Sequence, residues 1–180
     1  NTMARLGRTE LDVYPLGLGG IPLMRLSESG ARAVISAAVS GGINFADTAE
    51  GYGESEARLA AALQPDRDGF IIASKSMERS AAGMARAIDQ SLMRLKTAHI
   101  DIYQVHSIKD EDTLAAALAP GGALEALRDA RDRGRVRFIG ISGHRPAVLK
   151  AALETGEFDT VQVPVNVVDR EAGEELLPYA

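Results

Sequence analysis

Four polar side chains stand where short apolar runs stop. Ile43-Asn44-Phe45-Ala46 ends at Asp47, and Tyr52 follows on the next segment; Phe70 to Ser74 ends at Lys75; Ile100 to Val105 ends at His106. A phenol of ordinary pKa near 10 is a weak acid at neutral pH. An ammonium within about 4–6 Å favours its phenolate. Lys75 can act on Tyr52 in this way, Asp47 can hold Lys75 in place and keep it charged, and His106 can hydrogen-bond a carbonyl oxygen and polarise it. This set suits protonation of a carbonyl oxygen. No side chain donates hydride, so a nicotinamide cofactor would supply it.

Such chemistry needs the side chains to converge. Each run is β-rich and of strand length, and each is followed by helical periodicity. Arg5-Leu6-Gly7 and Asp12-Val13-Tyr14 predict a hairpin, and Leu16 to Gly19 a first strand. Helices are predicted over Ser27–Ser40 (apolar face Val34, Ile35, Ala38, Val39; stop at Gly41-Gly42) and Glu54–Leu63 (closed by Pro65). Met84, Ile88, Leu92 and Leu95 mark another. A longer excursion follows His106, broken by Pro120-Gly121-Gly122 before a helix bearing Leu124 and Leu127 that Gly134 ends. Val136–Ile141 is a fifth strand, ending at Ser142; Pro146 opens a helix that Gly156 stops; Thr160–Val163 is a sixth strand; Glu171–Leu177 starts another helix.

Strand and helix alternate, as right-handed βα units require. Polar residues at several successive strand ends favour a (β/α)8 TIM barrel over a doubly wound sheet, which gathers its site at one switch point. A closed barrel takes about 250 residues. The expectation is therefore a single domain over residues 1–180 with about six βα units and an N-terminal hairpin, incomplete before strands 7 and 8. Open edges would invite self-association.

Composition narrows the chemistry. The net charge of −5 disfavours nucleic acid and acidic membrane surfaces as partners. No apolar run approaches the roughly 18 residues of a span, and no leader is evident. Cysteine is absent, so this chain offers no disulfide, thiolate metal site or cysteine nucleophile. With only three histidines no metal site is expected. The cytoplasm is the expected compartment. Gly17-Leu18-Gly19-Gly20 is not a dinucleotide phosphate loop, because Pro22 stands where a third glycine belongs. His99 precedes its strand and reads as structural. His144, near the polar end, has no obvious partner and reads the same way. Glu54, Glu56 and the charges from Arg128 to Arg133 read as solvated helix faces.

The motifs also resemble the aldo-keto reductase family along the whole chain. The resemblance rests on Arg5-Leu6-Gly7-Arg8-Thr9, on Gly17 to Gly20, and on Asn44-Phe45-Ala46-Asp47-Thr48-Ala49-Glu50-Gly51-Tyr52-Gly53. Ser74-Lys75, Asp101 to His106 and Gly140-Ile141-Ser142 follow in the family's order. It implies Tyr52 as general acid, tuned by Lys75 and Asp47, with His106 orienting a small carbonyl substrate. It implies NADPH, with NADH the alternative, held at its carboxamide by Ser142 and Gln162; Gly19 and Gly20 read as letting the backbone approach the cofactor, or as merely tightening a turn. Gly143-His144 departs from the family's usual Ser-Asn and is similar to a bacterial branch that sometimes carries a cysteine-rich iron–sulfur tail. The family's stacking aromatic and phosphate loops follow later strands, so this segment alone is expected to bind NADPH poorly or not at all. Two other readings stand: a non-catalytic cofactor-sensing or partner-binding subunit, and a lyase using Lys75 as a Schiff-base nucleophile.

Overall fold

The structure, a computed structural model, describes residues 3–64 and 66–180. The helix stop expected at Pro65 lies outside the described residues. Strands β1 (Ala4–Arg5) and β2 (Asp12–Val13) pair antiparallel with Ala4 opposite Val13. Gly7, at φ +54, takes a turn conformation that a side chain would strain. Six further strands follow: β3 (Leu18–Gly19), β4 (Phe45–Asp47), β5 (Ile71–Ser76), β6 (Ile100–Ile108), β7 (Val136–Gly143) and β8 (Thr160–Gln162). Each is parallel to the next, in chain order. β3 and β8 are the two edges, so the sheet is an open portion of a (β/α)8 barrel.

Helix α1 (Glu28–Ser40) starts where the Ser27 hydroxyl accepts the Gly30 N–H and ends at Gly41, with Gly42 at φ +88. Its inner face is Ala31, Ile35 and Ala38; Val34 points outward and Val39 is half-buried, a rotation of the expected stripe. Helix α2 (Ser55–Leu63) buries Leu59 and Leu63. Helix α3 (Ala81–Leu95) buries Met84, Ile88, Leu92 and Leu95 as their spacing requires. The long excursion holds two helices, α4 (Glu111–Leu118) and α5 (Ala123–Asp132). A reciprocal cap between Asp110 and Thr113 opens α4, which lacks a strong apolar stripe and was not legible as a helix. Helix α6 (Pro146–Glu154) follows β7. Residues Ala172–Leu176 form a π-helical turn continued by Leu177–Tyr179.

Two apolar compartments result among the described residues. The larger lies between the sheet and its helices. The smaller fills the barrel interior, where Leu11 from the hairpin meets Ala73 and Ile102, with Phe45, Ile71 and Phe138 packed around them. Alternate strand residues point inward. Going toward the carboxyl ends, the inward residues are Phe45 then Asp47 on β4; Ile71, Ala73 then Lys75 on β5; Ile102, Gln104 then His106 on β6; and Phe138, Gly140 then Ser142 on β7. The amino end is thus apolar and plugged by Leu11, and the carboxyl end is polar.

A further expectation fails in the fold. Glu56 is not on a solvated face: it is fully buried, accepts the Ser74 hydroxyl at 2.6 Å and faces Arg94 at 3.5 Å. On α2 it stands one turn before Leu59 and Ala60, so it shares their inward face.

Candidate active site

The segment after β4 is strapped to β5 by its backbone. Thr48 N–H donates to Ala73 O at 2.9 Å, and Glu50 N–H to Lys75 O at 3.0 Å. The Thr48 hydroxyl donates to Ser55 Oγ, which donates to Gly20 O, each at 2.9 Å. Ser55 N–H closes on Tyr52 O at 2.9 Å, and Gly53 turns at φ +50. Tyr52 is thereby set over the carboxyl ends of β4 and β5.

Asp47, Tyr52, Lys75 and His106 line one cleft of about 300 Å3. Lys75 Nζ donates to Asp47 Oδ2 at 2.5 Å and to Thr48 O at 2.8 Å. It lies 5.2 Å from the centre of the Tyr52 ring. The Tyr52 and His106 rings meet edge-on, 6.1 Å between centres. Ser142 and Gln162, partners in register on β7 and β8, line the same cleft.

Gly19 and Gly20 are not among the residues lining it. A Cβ on Gly20 would lie 2.9 Å from both Asp47 O and Ser55 Oγ, so glycine there permits close packing of β3 on the Tyr52 segment. Gly19 faces open space.

Proton affinities follow from burial first. Burial pushes the Tyr52 phenol up, and the Asp47 carboxylate pushes it the same way. This is opposite to the lowering expected from Lys75. The ammonium's hydrogen bonds go to Asp47 Oδ2 and Thr48 O, and at the phenol burial and the Asp47 charge prevail. Burial pulls Lys75 below its usual range, and the charge of Asp47 and its hydrogen bond oppose this. Burial takes His106 down to about 4; the Lys75 charge adds to this and Asp47 opposes it. At neutral pH the cleft therefore presents a protonated phenol and a neutral imidazole.

Residues 15–180 match the Aldo/keto reductase family. The chain belongs to that family. It is 31% identical over 188 residues to the uncharacterized oxidoreductase YqkF of Bacillus subtilis, a match covering 97% of this chain and 59% of that protein. It is 32% identical to L-galactose dehydrogenase of Arabidopsis thaliana, covering 97% of this chain and 60% of that one. The solved structure of a putative aldo-keto reductase from Pseudomonas aeruginosa superimposes with a TM-score of 0.88 at 32% identity, covering 99% of this chain and 72% of that one. The chain spans about three-fifths of the length of these two curated relatives.

Within this aldo-keto reductase barrel, several residues near the cleft escaped the sequence reading. His144 lines it. Ser107 lines it too, at φ +57, where β6 shifts register between Val105 and Ile108. Its N–H donates to Ser142 Oγ at 3.2 Å. Gln104 lies just beneath, donating to Asp47 Oδ1 at 3.2 Å. The legible signal for Gln104 was its place two residues before His106, on the same strand face.

Proposed function

We propose that the protein is a nicotinamide-dependent carbonyl reductase in which Tyr52 gives the proton. The observation that carries this reading is one cleft in which the Tyr52 ring lies 5.2 Å from the buried, ion-paired Lys75 ammonium and meets the His106 ring edge-on. A bound nicotinamide cofactor, NADPH or NADH, supplies hydride to the carbonyl carbon. His106, as a neutral imidazole, donates its N–H to the carbonyl oxygen and fixes its direction. As the oxygen gains the π electrons, it becomes far more basic than a phenolate and takes the Tyr52 proton. The Lys75 ammonium stabilises the phenolate left behind. A high phenol pKa suits this order, because the proton stays on Tyr52 until negative charge develops.

The residues present fit the cofactor's carboxamide, which needs both a donor and acceptors. The Ser142 hydroxyl and Gln162 amide stand in register on adjacent strands and offer both. The Schiff-base reading gains no support, since Lys75 is held as an ion pair rather than as a free amine.

Tyr52→Phe in the complete polypeptide tests the reading. Expected is loss of carbonyl turnover by several orders of magnitude, with cofactor binding, read by fluorescence titration, unchanged. Turnover equal to wild type overturns it.

A further inference from the structure

Gln104 is 3% exposed, on the inner face of β6, with Lys75 and Gly140 as its register partners. Its orientation is fixed by its neighbour: a carboxylate only accepts, so the amide must turn Nε2 toward Asp47. The two Asp47 oxygens are then held from two different strands, Oδ1 by Gln104 and Oδ2 by Lys75. The consequence falls on the other end of the amide, where Oε1 is buried with no hydrogen-bond partner among the described residues. A buried carbonyl without a donor destabilises a fold, and a methionine of similar length would avoid that cost. The amide also needs a seat. A Cβ on Gly140 would lie 2.8 Å from Gln104 Cγ and 2.5 Å from Thr160 Oγ1, so any larger residue there displaces it.

We infer that Gln104 is a positioning residue for the proton-donating pair: it keeps Asp47 turned toward Lys75 beneath Tyr52, on a seat that Gly140 leaves open. The inference rests on the reductase reading for its purpose but not for its geometry. Asp47 keeps 18% of its side chain exposed, so without the amide it can turn to solvent. The charged and titratable groups facing the pair are Tyr52 from the segment after β4 and His106 from β6, with Arg79 and His144 acting on His106. Once Asp47 turns away, burial acts on Lys75 with less opposition.

Gln104→Met tests this through Lys75 itself, titrated by NMR in protein carrying 13C-labelled lysine. Expected is a fall of about one unit in the Lys75 pKa. The melting temperature should equal or exceed that of wild type, and kcat should fall while KM holds. Gly140→Ala, which leaves the amide in place chemically but pushes it off its seat, should move Lys75 in the same direction. A Lys75 titration unchanged in both variants overturns the inference, as does a lower melting temperature with no change at Lys75, the result of a merely structural role. Absence of carbonyl reduction by the wild type would instead defeat the reductase reading, and the Lys75 titration would still decide the role of Gln104.

Discussion

Arg79 holds the backbone that aims His106. Its Nη2 donates to His106 O at 2.6 Å and to Ser107 O at 3.1 Å, across the point where β6 breaks register and Ser107 turns to φ +57. A residue with a Cβ is strained in that conformation, at roughly 1–3 kcal/mol, and persists only where its surroundings enforce it. Arg79→Leu removes the clamp. Expected is a loss of about 1–3 kcal/mol in urea unfolding, with a fall in kcat as His106 drifts. Arg79→Lys should recover little of either, because one ammonium on a flexible stem does not reproduce the planar fork. Full recovery by lysine would show that charge alone is what matters.

The neutral His106 sets the acid side of the pH dependence. Its pKa is about 4 in the folded chain against 6.5 for the free side chain, through burial first and the Lys75 charge second. The imidazole should stay neutral, and able to donate a single N–H, down to near pH 4. Between pH 6.5 and 4 the unfolded chain takes up a proton here that the folded chain refuses. This contribution to stability is therefore fully present above 6.5 and is lost as pH falls toward 4. Proton NMR of the His106 ring measures the value directly, and a midpoint near 6.5 would refute it.

Glu56 ties three elements together behind the cleft. Its carboxylate accepts the Ser74 hydroxyl from β5 and faces Arg94 of α3, whose Nη1 also donates to Glu50 O on the Tyr52 segment at 2.9 Å. Glu56→Ala leaves a buried hydroxyl and a cation without their partner. Expected is a loss of roughly 2–4 kcal/mol, below that of a fully buried pair because Arg94 keeps contact with water. Glu56→Gln preserves the shape and the acceptor for Ser74, so it should cost less. Chemical denaturation of the two variants checks the order.

What the sequence made legible was the end of each strand. Asp47, Lys75 and His106 announce themselves because a polar residue interrupts a β-rich run, and the inward alternation that follows places all three at one end of the barrel. Gln104 and Glu56 stayed hidden for a shared reason. Each is buried against a partner more than 15 residues away in the chain, Asp47 in one case and Ser74 in the other. The direction of the Tyr52 pKa was misjudged because the nearby ammonium was weighed without burial and the Asp47 carboxylate, which both raise it. Helix α4 was missed because its buried side is only Leu114 and Ala117, too little for a periodic signal.

The hairpin should matter more than its length suggests, because Leu11 closes the amino end of the interior. It is 3% exposed and packs on Ala73 and Ile102, directly below the layer that holds Lys75 and Gln104. Leu11→Ala leaves a void in a small, separate apolar cluster that cannot borrow packing from the helix-covered core. The expected cost is about 2–5 kcal/mol, the larger values if the hairpin cannot settle into the space. Water admitted from below would also lessen the burial that holds Lys75 and His106 under their usual pKa values, so both should move back up in the variant. A destabilisation under 1 kcal/mol, with both titrations unmoved, would mean that the polar layer is insulated from the hairpin and that the amino-end plug has no part in tuning the cleft.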